Sequence, residues 1–195
     1  MIDYYELGEV LDCADEDHLY PHTQALLKAL RACPYTDVRE IRKDKPGTII
    51  SEYIVIDAGD GTVDSGNLGG VRRRERLAVG VNPDFRVPVV VYTLRKDFPV
   101  LSHQHPPSIG GARVLCLYDS NWSTVERTWT PERFIARMFW WLRESALLKL
   151  HRSDQPVEQL FYMSPYQLIL PSNYTDYAKS GSNTLTICKV DVGDS

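Results

Sequence analysis

The sequence predicts an α+β fold in which helices pack on an antiparallel sheet, and three patterns along the chain support this prediction. An amphipathic helical segment begins near Tyr20, β-branched segments separated by turns fill residues 36–95, and a second helical segment rich in aromatic residues follows Thr130. Successive strands joined by short or moderate turns form an antiparallel meander. The expected order is therefore helix, meander and helix.

Length and composition are those of an ordinary globular protein. The 195 residues, 43% hydrophobic and 25% charged, suffice for one domain with a substantial core. We expect an N-terminal arm over residues 1–19 and a single domain over residues 20–195, with a C-terminal extension from about residue 151. No apolar run approaches the roughly 20 residues that span a bilayer, and the amino terminus is acidic, so we expect a cytoplasmic protein without a membrane partner.

Charge and cysteine usage exclude further classes. The formal net charge of -4 gives no overall attraction to nucleic acid, so no such partner is expected. Cys13, Cys33, Cys116 and Cys188 lie far apart without a C-x-x-C pair, which is typical of separate thiols in a reducing compartment. The basic run Arg72–Arg76 is interpreted as the solvated end of a strand, with a docking patch for phosphate or protein as the alternative.

Both ends of the first helix have sequence signals. Pro21 suits an early helical position, three leucines recur at helical spacing, and Pro34 ends the helix after Cys33. Cys33 is therefore predicted to pack at the helix end.

Turn residues separate four predicted strands. The loop at residues 58–70 is rich in Gly, Asp and Asn but lacks the Lys-Ser/Thr pair of a P-loop, so it is interpreted as a hairpin connection. Pro88 cannot donate a ladder hydrogen bond and should lie at an edge, a strand start or a bulge. The predicted strands are Val38–Arg42, Thr48–Asp57, Leu77–Val81 and Val87–Leu94.

A long helix is predicted from Pro131 to about Leu150. Thr130 supplies a hydroxyl cap, and Glu132 lies near the positive end of the helix dipole. Strand-like segments follow at residues 167–170 and 184–190, and Cys188 in the second is predicted to be structural. The apolar stripe that should cross one face of the sheet comprises Phe134, Ile135, Met138, Trp141, Leu142, Ser145 and Leu148 or Lys149.

The candidate reactive residues lie between Leu101 and Trp122, where two histidines, a Pro-Pro-Ser-Ile-Gly-Gly turn and one cysteine occur together. Cys116 ends a short apolar run that follows the turn, a position at which a partner can reach a thiol. A buried structural cysteine is the alternative.

Two histidines close to this thiol allow two further interpretations. His103 or His105 can serve as the base of a cysteine hydrolase, with Asp119 or Asn121 to orient it, although papain-like and caspase-like signatures are absent. His103-Gln104-His105-Pro106 also resembles the H-x-H-P element of JAMM-type zinc isopeptidases.

The zinc interpretation fails at two further positions. Where that family has a serine and an aspartate, this chain has Arg113 and Cys116, and a cation at Arg113 would oppose bound zinc. A zinc hydrolase using His103 and His105 is kept as an alternative, and neither a metal nor a cofactor is predicted.

The order of elements and several motifs resemble the ubiquitin-conjugating fold. His105-Pro106 is similar to the His-Pro of that family's His-Pro-Asn motif, Gly111 to Leu117 is close to its Gly-x-Ile-Cys-Leu, and Trp129-Thr-Pro131 resembles its Trp-Ser-Pro. The resemblance covers roughly residues 20–150. The segments CLYDSNW and LHRSDQPVEQ look most like prokaryotic ubiquitin-conjugating-like proteins of bacterial anti-phage operons, of the CBASS and ubiquitination-like types.

This resemblance implies a fold and a reaction. The implied UBC-like fold has an N-terminal helix, a four-stranded antiparallel meander, a long crossing helix and extra C-terminal strand-like segments. Cys116 would be the nucleophile that accepts a carboxyl-terminal acyl group as a thioester and yields it to an amine. The implied partners are an activating enzyme, a ubiquitin-like modifier or the C-terminus of a CD-NTase-type sensor, and a target lysine. A non-catalytic UBC-like binding module is the competing class.

The chain departs from the family motif opposite the thiol. Pro107, which has no N–H to donate, stands where the family has the asparagine of His-Pro-Asn, and the spacing from His105 to Cys116 is one residue longer. The candidates to stabilise an oxyanion are His105 first, then His103, Ser108 and the backbone amides of Gly110 and Gly111. A structural hydrogen bond to the loop is the alternative for either histidine.

Two further residues, Asp119 and Tyr118, follow the thiol in the chain and complete the predicted site. Asp119 is expected to orient or deprotonate the incoming amine, with a cap on the next turn as the alternative. Tyr118 is expected to shield the thioester from water.

Overall fold

The computed structural model describes residues 2–44, 51–105, 107 and 111–150, and these confirm the α+β class. Among them, seven strands form one antiparallel sheet in the spatial order β1-β2-β3-β4-β5-β7-β6. Short 3-10 turns lie at Cys13–His18 and Glu126–Thr128. The helices are α1 (Pro21–Ala32), α2 (Trp122–Val125) and α3 (Pro131–Ala146), and the strands are β1 (Glu9–Val10), β2 (Thr36–Lys43), β3 (Glu52–Ala58), β4 (Glu75–Val81), β5 (Val90–Thr93), β6 (Gln104–His105) and β7 (Arg113–Leu115).

The predicted meander is confirmed as β2 to β5, with shifted boundaries. Strand β3 begins at Glu52, and residues 48–50 of the predicted strand lie outside the described residues. Strand β5 is shorter than predicted, and Pro88 precedes it, where a missing N–H costs no ladder bond. The loop at residues 58–70 lies in the β3–β4 hairpin connection, as predicted.

Both faces of the sheet are covered, which explains why every residue of β3 is buried. Ile54 and Ile56 belong to the core under α1 and α3, whereas Tyr53 and Val55 belong to a second cluster on the other face. Leu7, Tyr4 and Tyr5 of the N-terminal segment pack into that second cluster. The segment predicted only as an arm therefore covers one face and also contributes β1 to the sheet edge.

Helix α1 begins and ends where the sequence indicates. Its first turn is fixed by the sheet, because the Tyr20 N–H donates to the fully buried Glu52 carboxylate at 2.9 Å, and Lys43 Nζ lies 3.4 Å from the other oxygen. Cys33 follows the last turn and is partly buried against the core, as predicted. Burial of each leucine on its inner face stabilises the fold by about 1.5–3 kcal/mol.

Helix α3 begins as predicted but ends one turn early, at Ala146. Thr130 accepts a capping hydrogen bond from the Arg133 N–H at 3.3 Å. The prediction that the buried stripe reaches Leu148 or Lys149 was wrong, because Leu148 has φ 55 and both residues are exposed. The β3–β4 connection ends the helix, since the Gly69 N–H donates to the Ala146 carbonyl at 3.1 Å.

A buried ion pair joins the first residue of β4 to the segment after β5. Arg95 binds both oxygens of Glu75 at 2.7 and 2.9 Å, and each side chain is at least 95% buried. The Arg95 guanidinium also donates to the carbonyls of Gly70 and Asp97, so its charge is well satisfied. Strand β4 begins inside the basic run, whose arginines pair with Asp37, Asp57 and Asp97.

Two predictions concern parts of the chain that are not described. The strand-like segments at residues 167–170 and 184–190, with Cys188, lie outside the described residues, as does the extension from about residue 151. In the described part, no helix is long and apolar enough to cross a bilayer.

Candidate functional site

Cys116 directly follows strand β7 and ends the short apolar run seen in the sequence. Strand β7 pairs with β5 on one side, Val91 opposite Leu115, and with β6 on the other, His105 opposite Val114. The Cys116 N–H extends the second ladder by donating to the His103 carbonyl at 2.8 Å. The thiol is therefore fixed by the sheet backbone, and it is half-buried.

Side-chain alternation directs the thiol away from the helix-side core. Leu115 and Leu117 are both buried in that core, at 3% and 4% exposure. Because successive side chains along a strand point to opposite faces, Cys116 between them faces the other way. The two leucines anchor the backbone on either side of the thiol and leave it accessible.

The residue after Leu117 contacts the thiol directly. Cys116 Sγ lies 3.7 Å from the Tyr118 carbonyl oxygen, so the S–H donates a weak hydrogen bond to it. Burial raises the pKa of Tyr118, with an opposing effect from the charge of Arg137. The Tyr118 side chain is half-buried, and its ring lies near Trp122 and Arg137. The shielding role of this ring stays a prediction.

Arg137 of α3 holds the segment after the thiol and was missed in the sequence. Its Nε donates to the Leu117 carbonyl at 2.6 Å, and its guanidinium lies 3.8 Å from the centroid of the Trp140 ring. The centroid of the Tyr118 ring lies 5.9 Å from the same guanidinium. The available signal was the i, i+3 spacing of Arg137 and Trp140 beside the apolar stripe, which suits a stacked cation.

An aromatic cluster holds the segment that begins at Trp122, after the thiol. Trp122 Nε1 donates to the Phe85 carbonyl at 2.7 Å, and the Phe85 ring contacts Trp122, Trp129 and His22. Trp122 begins the short helix α2, which was not predicted from the sequence. These contacts tie it to α1 and to the β4–β5 connection.

The structure brings His103 and Asp119 to the same site as Cys116. His103 Nδ1 lies 4.0 Å from Asp119 Oδ1, and their side chains are 12% and 74% exposed. The alternative that Asp119 caps the next turn is not observed, because Asn121 occupies the N-cap position of α2. His103 has φ 58, a conformation that non-glycine residues rarely adopt.

His105 and Gln104 have different roles on β6. His105 is exposed and lies opposite Val114, two residues before the thiol. Gln104 is buried, donates to the Pro99 carbonyl at 3.2 Å and accepts from the Leu101 N–H at 3.1 Å. In the sequence, Gln104 stands out only as the residue between two histidines, although its alternation with them indicates that its side chain lies on the opposite face of the sheet.

The turn before β7 is described only in part. Ser108 and Gly110, two of the oxyanion candidates, lie outside the described residues, as does Pro106. Gly111 has φ 84, and a Cβ there would lie 3.0 Å from the Tyr5 ring, so both conformation and space favour glycine. The choice among the oxyanion candidates stays a prediction.

Cys116 does not line the large cleft in the described part of the chain. A cleft of about 820 Å³ lies near the other edge of the sheet, where the Glu16–Arg31 ion pair and β2 line it, and it includes none of the candidate residues. Across residues 2–44, 51–105, 107 and 111–150, no three His, Cys, Asp or Glu side chains are grouped to hold a metal ion. The described residues therefore provide no complete set of ligands for the zinc alternative.

An α+β domain with a half-buried thiol at the end of a strand is consistent with the ubiquitin-conjugating-like class, and the family comparison establishes that class. The family model described as prokaryotic E2 family A matches residues 43–180, which is more than half of the chain and includes Cys116. The chain belongs to prokaryotic E2 family A. This membership confirms the predicted prokaryotic E2-like family and implies, in general terms, a conjugating transferase that works with a modifier and an activating enzyme. No curated protein and no solved structure matches the chain.

Proposed function

We propose that this protein is a ubiquitin-conjugating-like enzyme that carries a modifier, or a protein C-terminus, as a thioester on Cys116. The observation that carries the proposal is the placement of this thiol: it is half-buried at the end of β7 and faces away from the helix-side core. Its backbone N–H donates to the carbonyl of His103, whose side chain lies 4.0 Å from that of Asp119. Cys33, the other half-buried thiol described, packs against the core at the end of α1.

The reaction is two acyl transfers. In the first, the Cys116 thiolate attacks the thioester carbonyl on the activating enzyme; the new C–S bond forms as the activating enzyme's thiolate leaves. In the second, a target amine attacks the Cys116 thioester, an amide forms and the Cys116 thiolate leaves. Neither step requires a cofactor of this chain.

The partners and setting follow from the same proposal. The acyl donor is a ubiquitin-like modifier or the C-terminus of a CD-NTase-type sensor, and the acceptor is a lysine of a target protein. The setting is bacterial anti-phage defence of the CBASS or ubiquitination-like type. His105, His103 and Ser108 remain the side-chain candidates to stabilise the oxyanion on a UBC-like fold that spans residues 20–195.

The test incubates the protein with ATP and with the activating enzyme and modifier encoded by neighbouring genes, followed by a non-reducing gel. A band of higher mass that disappears with excess thiol is expected for the wild type and for the control Cys33→Ala, and no such band for Cys116→Ala. Thermal melts of the variants verify that they fold. If neither wild type nor Cys116→Ala forms the adduct, the protein is a non-catalytic binding module.

A further inference from the structure

The first residues of the chain pair with the segment that follows β5. The Tyr5 N–H donates to the Leu94 carbonyl at 2.7 Å, and the Lys96 N–H donates to the Asp3 carbonyl at 3.0 Å. These two bonds flank an antiparallel bridge between Tyr4 and the residue after Leu94. The backbone of Tyr5 is therefore fixed beside the end of β5.

The ring of Tyr5 lies on Gly111, in the turn before β7. A Cβ built on Gly111 would lie 3.0 Å from Cε1 and 3.4 Å from the hydroxyl oxygen of Tyr5, and Gly111 has φ 84. Both the space and the backbone conformation therefore favour glycine at this position. The Tyr5 ring fills the space that a side chain at residue 111 would take, in direct contact with the backbone.

The surroundings of the ring limit its movement. Tyr5 packs against the second core cluster, in which Leu94 and Ala112 are buried. Lys96 Nζ lies 5.8 Å from the centroid of the Tyr5 ring and pairs with the Asp3 carboxylate at 2.8 Å. The ring is thus held by the sheet below it and by its own segment, and it can act as a fixed support for Gly111.

The supported backbone leads directly to the thiol. Strand β7 has only three residues, Arg113–Leu115, and Cys116 follows it. Because Gly111 lies two residues before so short a strand, a shift of Gly111 should be passed along the backbone to the thiol. Acyl transfer is sensitive to such shifts, since a misplacement of about 1 Å can cost about 10²-fold in rate. The amide of Gly111 is also one of the predicted donors to the oxyanion.

We propose that Tyr5 is a positioning residue that acts through Gly111: its ring fixes the backbone before β7 and thereby the Cys116 thiol. This inference rests on the proposed function and deepens it, because it makes acyl transfer depend on the N-terminal segment. Tyr5 forms no bond to the acyl group and moves no proton.

The first test compares two neighbouring tyrosines of the same segment. Tyr5→Ala, Tyr5→Phe and Tyr4→Ala are charged with the modifier, the activating enzyme is quenched, and loss of the thioester is followed at increasing concentrations of free lysine. Tyr5→Ala should lower the limiting rate at least about fivefold and leave the half-saturating lysine concentration unchanged. Tyr5→Phe keeps the ring and should discharge like wild type. So should the matched control Tyr4→Ala, because the Tyr4 ring lies 4.4 Å from the guanidinium of Arg76.

The second test needs neither modifier nor activating enzyme. Alkylation of Cys116 by iodoacetamide should be several-fold faster in Tyr5→Ala, because the backbone that holds the half-buried thiol is released. Tyr5→Phe and Tyr4→Ala should be alkylated at the wild-type rate. Failure of wild type to charge on Cys116 would overturn the proposed function, whereas the alkylation rates would still decide whether Tyr5 positions the thiol.

The third test asks whether Tyr5 acts through Gly111. Gly111→Ala places a Cβ against the ring and should slow discharge. Because the two residues share one contact, adding Tyr5→Ala to this variant should slow discharge little further. Thermal melts verify that each variant folds. Multiplicative effects of the two changes would overturn the inference, as would wild-type discharge and alkylation in Tyr5→Ala. Equal changes in Tyr4→Ala and Tyr5→Ala would assign Tyr5 a purely structural role.

Discussion

The two sides of Cys116 are held in place by different kinds of contact. On the side before the thiol, β6 is fixed by the backbone ladder and by the buried Gln104, which bonds Pro99 and Leu101. On the side after it, side chains reach across from other elements, with Arg137 on the Leu117 carbonyl. The first side is part of the sheet, and the second is clamped to α3.

Because of this difference, the two sides should contribute differently to the stability of the fold and to the reactivity of the thiol. Changes before the thiol remove buried hydrogen bonds and should lower the free energy of unfolding together with the activity. Changes after it remove contacts that are half-exposed, so they should alter the reactivity of the thiol at little cost in stability.

The largest effect is expected at the buried ion pair between Glu75 at the start of β4 and Arg95 after β5. Glu75→Ala leaves the guanidinium of Arg95 buried without its partner, which should cost about 3–5 kcal/mol of unfolding free energy. Urea denaturation measures this, with the exposed Lys96→Gln as control, expected to change the midpoint little. Equal urea midpoints for Glu75→Ala and Lys96→Gln would contradict a large contribution of the buried ion pair to stability.

A smaller effect is expected at Gln104. Gln104→Ala leaves the Leu101 N–H and the Pro99 carbonyl without their partner, which should cost about 1–3 kcal/mol. Because β6 loosens, Cys116 should also react faster with iodoacetamide, as followed by mass spectrometry. The exposed neighbour Ser102→Ala should change neither quantity. A normal urea midpoint for Gln104→Ala would show that β6 is not held by this side chain.

The smallest effect on stability is expected on the side after the thiol. Arg137→Gln removes the charged donor to the Leu117 carbonyl and should cost about 1 kcal/mol. The alkylation rate of Cys116 should nevertheless rise several-fold, because the Tyr118 carbonyl is no longer held against the thiol. Arg133→Gln is the matched control one turn earlier, since Arg133 donates to the Thr128 carbonyl at an exposed position. Equal alkylation rates in the two variants would remove Arg137 from the site.

Local signals in the sequence were sufficient for α1, for the start of α3 and for the meander. Pro21, Pro34 and the Thr130-Pro131 start mark helix ends through backbone chemistry that depends on nearby residues alone. The short strands β6 and β7 could not be predicted, because two or three residues become a strand only when a partner strand lies beside them. The same holds for β1, which pairs with β2 from about thirty residues away.

The residues of the candidate site likewise divide into those that the sequence indicates and those that it does not. Cys116 was proposed from its sequence motif, and the family match covers its position. Arg137 and Gln104 could not be found, because their partners are backbone carbonyls and amides, which leave no pattern of residue types. The pairing of His103 with Asp119 depends on the left-handed backbone at His103, a conformation that histidine does not signal.

The most direct test of the account is the chemical nature of the bond at residue 116. Cys116→Ser, incubated with ATP, the activating enzyme and the modifier, should trap an oxygen ester that resists excess thiol and is cleaved by alkali, whereas the wild-type adduct is cleaved by thiol. Peptide mapping by mass spectrometry should place both bonds at residue 116. An adduct of wild type that maps elsewhere, or one that forms equally in Cys116→Ala, would contradict the assignment of Cys116 as the acyl carrier.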